Sequence, residues 1–118
     1  MRSIKVRKTE LSKLLGMVEE LQSSVMFVYF NEGYTVSESA ASAEYIFGPI
    51  QWAVRRICVN GIEAADFNAA ILDTRDRVCE EKEDISKKIT EAISKNGVWA
   101  KINTDAPYLI PIFRCFLK

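Results

Sequence analysis

Between Gly61 and Gly97 the chain contains neither glycine nor proline. Few features limit a fold more, because these two residues end helices and turn strands. The stretch opens as a helix start. With Glu63 as N-cap, Asp66 falls at N3, where a carboxylate favours the helix dipole, and Ile62 and Phe67 take the two positions of a hydrophobic staple. Nothing then stops a helix before Asn96-Gly97, so the spacing predicts one of about 32 residues, roughly 48 Å long at 1.5 Å per residue. Its middle, "DTRDRVCEEKEDISKK", holds eleven charged residues in sixteen. Asp73–Arg77, Glu83–Lys87 and Asp84–Lys88 stand at i,i+4 in the favourable order. Ile71, Val78, Ile85 and Ala92 recur every seven residues, but the seam Asn68, Arg75, Lys82, Ile89 is mostly polar where a coiled coil wants it apolar. The expectation is one long helix, with a break near Asp84 as the alternative. Its narrow stripe would lie on a sheet of the same chain or on a partner subunit.

The flanking segments read as strands and shorter helices. "SIKVR", residues 3–7, alternates polar and apolar, as a strand with one wet face does. Leu11, Leu14, Leu15, Val18 and Leu21 follow a helical period over 10–23, with Thr9 as cap. "VMFVYF", residues 25–30, is β-branched and aromatic, the composition of a strand buried on both faces. Asn31-Glu32-Gly33 turns the chain, and Tyr34 to Val36 would pair back as a hairpin. A helix capped by Ser37 or Ser39 then either kinks at Pro49 or stops near Phe47 and restarts there, and Asn60-Gly61 ends it. "VWAKIN" alternates again, and "YLIPIFRCFL" is an apolar edge strand interrupted by Pro111. The fold class expected from this order is α+β. One domain spans 1–118, with an antiparallel or mixed sheet of four to five strands packed by two or three helices, one of them long.

Composition removes much chemistry. The chain of 118 residues has no histidine, which excludes Ser-His-Asp and Cys-His nucleophilic systems and imidazole metal sites. Cys58, Cys79 and Cys115 are odd in number and widely spaced, which argues against a disulfide framework or a zinc site and fits a reducing, cytoplasmic setting. No P-loop, G-x-G-x-x-G or EF-hand pattern occurs. No signal peptide and no apolar run of membrane-spanning length are read. Net charge is zero but uneven: residues 1–13 carry +4, 14–54 carry −5, 55–86 carry −3 and 87–118 carry +4. The basic N-terminus lacks the interleaved aromatics and the high pI of nucleic-acid readers, so nucleic acid is not the expected partner.

Three constellations remain once these are set aside. Trp52, Arg55 and Arg56 follow Pro49 on a helix whose core face is taken by Ile50, Val54 and Ile57. An arginine fork suits phosphate, and an indole stacks on bases or on guanidinium. Trp99 and Asn103 share one face of the expected strand, and Arg114 stands in an apolar strand where burial would demand a partner. The basic N-terminus is the third. The functional expectation is a non-enzymatic protein, without metal or cofactor, that sequesters or senses an anionic, nucleotide-like ligand, of a kind a phage or mobile element would encode. Its pocket would lie at a boundary of a homo-oligomer, built from Trp52, Arg55, Arg56, Trp99, Asn103 and Arg114. The alternative is a protein-interaction module or inhibitor that docks on a partner protein through its charged helix.

Overall fold

The apolar stripe that begins at Leu14 continues well beyond Gln22. In the computed structural model, which describes residues 3–4, 6–95 and 97–113, helix α1 runs Lys8–Asn31. Leu14, Val18, Leu21, Val25 and Val28 with Tyr29 keep a spacing of three or four residues along it, and all are buried. The segment expected as a strand over 25–30 is thus the last two turns of α1. An apolar run satisfies a strand buried on both faces or a helix buried on one, and here Ser23 and Ser24 fail to break the helix. Ser24 Oγ donates to the Glu20 carbonyl at 3.0 Å, the back-bond a serine makes inside a helix. Phe27 and Phe30 are left 64% and 50% exposed.

Gly33, at φ 100°, turns the chain into α2, Val36–Val59. Its cap is Thr35, not Ser37 or Ser39. Thr35 Oγ1 accepts from the Glu38 amide and Glu38 Oε1 accepts from the Thr35 amide, both at 3.1 Å. These reciprocal bonds use the T-x-x-E spacing and displace the expected hairpin strand. Helix α2 continues through Pro49 and buries Ala43, Ile46, Phe47, Ile50, Ala53 and Val54.

The long helix expected after Gly61 is two helices, α3 over Ala64–Cys79 and α4 over Glu83–Ser94. The predicted start survives at residue level: Glu63 is the N-cap, and Ile62 and Phe67 are both buried. The chain breaks at Glu80–Lys82, where Ser86 Oγ donates to the carbonyls of Val78 and Glu81 at 3.3 Å each. The break lets α4 bury Ile85, Ile89 and Ile93, a helical stripe that turns onto α1. Helix α5, Val98–Asp105, replaces the expected strand "VWAKIN". A 3-10 turn at Pro107–Leu109 and a short α6 at Ile110–Phe113 replace the edge strand, with Pro107 and Pro111 in first turns, where a missing N–H costs no helical bond.

The α+β assignment is therefore overturned. Among the described residues the sheet shrinks to one antiparallel pair, β1 (Ser3–Ile4) with β2 (Ile62–Glu63), Ser3 opposite Glu63 and Ile4 opposite Ile62. The protein is a helical, bundle-like fold. α1 lies at its centre, packed against α2 on one side and against α4 and α5 on the other; α3 packs on α2, and α6 on α3. Lys101 on α5 pairs with Glu20 on α1 at 3.5 Å, Lys88 on α4 pairs with Glu32 at the end of α1, and Gln51 bonds Gln22 across α1 and α2. No described helix is long and apolar enough to cross a membrane.

Candidate functional site

Helices α2 and α3, joined by the turn at Asn60-Gly61, return antiparallel and leave a furrow along their outer side. α2 contributes Tyr45, Pro49, Trp52 and Arg56, at i, i+4, i+7 and i+11. α3 contributes Asp66, Ala69, Asp73 and Arg77, at i, i+3, i+7 and i+11. Each set follows one helical stripe, so the two face each other for about three turns.

Pro49 organises one end. It has no N–H, so the Tyr45 carbonyl loses its partner within α2. Arg77 of α3 supplies the substitute, its Nη1 donating to Tyr45 O at 2.9 Å. The same guanidinium lies over the Tyr45 ring at 4.4 Å, and its Nε reaches Asp73 Oδ1 at 3.3 Å. One side chain thus repairs the helix, stacks on the aromatic ring and pairs with a carboxylate. Beyond this clamp the furrow opens into a cavity of about 340 Å³ lined by Pro49, Trp52, Asp66, Ala69, Ala70 and Asp73. Its floor is small and apolar, its wall is an indole that is 52% exposed, and its rim carries two carboxylates. Arg56 reaches back over the Trp52 ring, 6.0 Å from its centroid, at the limit of a cation–π contact.

Comparison with protein-family models, with curated proteins and with solved structures finds no match.

The six residues singled out from the sequence divide between two regions. Trp52 and Arg56 are together on the furrow. Arg55 faces elsewhere, beside a cavity of about 70 Å³ that it shares with Leu15, Glu19 and Gln51. Neither arginine is in an ion pair among the described residues. Trp99 and Asn103 lie on α5, one turn apart, and the Asn103 amide donates to the Trp99 carbonyl at 2.8 Å. Trp99 packs half-buried against the core. Arg114 lies outside the described residues. The furrow cavity contains, of the six, Trp52 alone.

Sequence reasoning missed Asp66, Asp73 and Arg77 as site residues, although it noted each for helix stability. The signal was Pro49 itself, because a proline inside an unbroken helix orphans the carbonyl four residues back and calls for a donor from elsewhere. A second apolar surface was also missed. Met26, Phe27, Phe30 and Val36 line a wholly apolar notch of about 200 Å³ where α1 meets the start of α2. Among the described residues no group of three or more His, Cys, Asp or Glu side chains is placed to hold a metal ion.

Proposed function

We propose that this chain works by holding a partner protein in the α2–α3 furrow, without turnover. The carrying observation is Trp52, a half-exposed indole standing over a floor of Pro49, Ala69 and Ala70. Aromatic anchors beside small-residue grooves are what helix-in-groove docking uses, because a large rigid side chain gains contact area at little entropic cost. Two carboxylates on the same cavity favour this reading over capture of an anion, which would meet like charge. The docking element is the outer side of α3 together with α2, a more specific surface than the charged helix as a whole.

Site-specific photo-crosslinking tests it. A photoreactive phenylalanine analogue replaces Ala69 in the furrow or, as control, Ala100, which is exposed on α5. Irradiation in cells of the source organism is expected to give one discrete heavier protein adduct from position 69 and none from 100. Trp52→Ala in the same chain removes the adduct. Absence of an adduct at 69, or the same adducts from both positions, overturns the proposal.

A further inference from the structure

We infer that the occupant of the furrow is an amphipathic helix that presents two basic side chains two turns apart, with an apolar side chain between them. The inference rests on the docking reading above and adds the partner's chemistry.

It starts from the order of groups along α3. Asp66 and Asp73 are seven residues apart, so they stand on one face about 10.5 Å from each other along the axis. Both line the cavity beside Trp52. Asp66 is in no ion pair among the described residues, and Arg77 engages only Oδ1 of Asp73, whose side chain stays 53% exposed. Both carboxylates therefore keep the capacity to accept from a partner. Between them Ala69 and Ala70 add nothing beyond Cβ, and the distance at which helices pack is set by the side chains at the contact. A second helix can thus lie close over this stretch.

Such a helix repeats with the same period as α3. Its residues i and i+7 meet Asp66 and Asp73, and residue i+3 or i+4 meets the indole. Inside the cavity lysine or arginine complements the two carboxylates, whereas the furrow's own cations lie outside its lining, Arg77 engaged by Asp73 and the Tyr45 carbonyl and Arg56 drawn over the Trp52 ring. The Arg77–Tyr45 stack closes the furrow at one end, which sets how far the occupant can slide.

Three stapled alanine-rich helices probe this on the full chain by calorimetric titration. One carries Lys at i and i+7 with Leu at i+4. The second has Glu in place of both lysines. The third carries Lys at i and i+5, which splits the pair between faces. The first is expected to bind about tenfold more tightly than the Glu helix and about two- to fivefold more tightly than the split one, with advantages that shrink as salt rises. Asp66→Asn is expected to weaken it about two- to fivefold. Should that variant unfold, the Lys-to-Glu exchange on the peptide still decides, since it leaves the protein untouched. Equal binding of the Lys and Glu helices overturns the inference. So does no binding of the Lys helix while the crosslink at position 69 persists, and in that case docking itself stands. Loss of both signals removes the docking reading as well.

Discussion

Arg77→Ala is the substitution whose cost can be worked out most fully from the geometry. The guanidinium makes three contacts at once, and only 28% of its side chain is exposed. Its 2.9 Å bond to Tyr45 O joins a charged donor to a carbonyl that Pro49 has orphaned, and hydrogen bonds to charged groups contribute about 1.5–3 kcal/mol. The stack on Tyr45 at 4.4 Å adds about 0.5–1 kcal/mol at an exposed site. The ion pair with Asp73, which is 53% exposed, is screened and adds no more than a few tenths. Solvent access favours the low ends, so Arg77→Ala is expected to cost about 2 kcal/mol, a fall in Tm of roughly 8 °C for a chain of this size.

The decisive arm is Pro49. Alanine there restores the amide that can bond Tyr45 O within α2 and raises stability by about 1–3 kcal/mol, since proline is the poorest residue for a helix interior. With the carbonyl partnered inside its own helix, Arg77→Ala should then cost about 1 kcal/mol less than it does beside Pro49. Urea denaturation followed by far-UV circular dichroism on the wild type, both single variants and the double variant reads this coupling directly. If the two substitutions add to within about 0.3 kcal/mol, Arg77 does not stand in for the missing helix bond, and the account of the furrow's closed end is wrong.

Three further outcomes follow from the packing. Phe27→Ser should change stability by less than about 0.5 kcal/mol, whereas Phe47→Ala, fully buried on α2, should cost about 3–5 kcal/mol; a large loss at Phe27 in denaturant titration would return residues 25–30 to a strand buried on both faces. Thr35→Ala should cost about 1 kcal/mol by removing the α2 cap. Glu38, held below the usual carboxylate range by the Thr35 backbone and then side-chain bonds, contributes above its unfolded pKa and loses that contribution as pH falls through the lowered value, so an acid titration of Glu38→Gln should show a shallower slope. Tyr29 is pushed up by burial first and then by its bond to Glu81, so the neutral phenol is the folded form; its contribution is intact below the unfolded pKa near 10 and fades as pH rises past it. Tyr29→Phe should flatten that alkaline loss in a pH series of Tm values.

What the sequence disclosed and what it hid have the same physical origin. Where polar residues interrupt an apolar stripe its period is unambiguous, so the helical character of 10–23 and the start at Glu63 can both be read, although the N-cap is Arg7 and the expected cap Thr9 lies inside α1. Where they did not, two periods fitted equally well. Val98 and Ile102 share a face in a strand and in a helix alike, and the residue that separates the two cases, position 100, is an alanine that either tolerates. Beyond α5, the buried residues Ala106, Leu109 and Ile112 stand three apart through the 3-10 turn and into α6, a spacing that the six residues of "VWAKIN" are too few to show. The "VMFVYF" run is ambiguous for the matching reason: with every side apolar, periodicity carries no information there, and the unbroken stripe from Leu14 outweighs β-branched composition.

The furrow was harder to see because its chemistry is divided between elements. Trp52 stood out as an indole beside two arginines and so suggested an anion. The charges it shares a cavity with are Asp66 and Asp73, from a helix that meets α2 only after the chain reverses at Gly61. No local pattern sets an indole against carboxylates fourteen and twenty-one residues away; that follows from the antiparallel register of α2 and α3. The register in turn depends on which α3 side chain faces Tyr45. Pro49 creates one orphan carbonyl, Arg77 is the α3 residue that bonds it, and from that bond every other facing pair is fixed: Asp73 near Pro49, and Ala69 with Asp66 near Trp52. A shift of α3 by one turn would pass the carbonyl from Arg77 to Asp73, which when ionised can only accept, and would leave the carbonyl unpaired. Which carboxylates line the cavity beside Trp52 is therefore set by a proline inside a helix and the arginine that compensates for it.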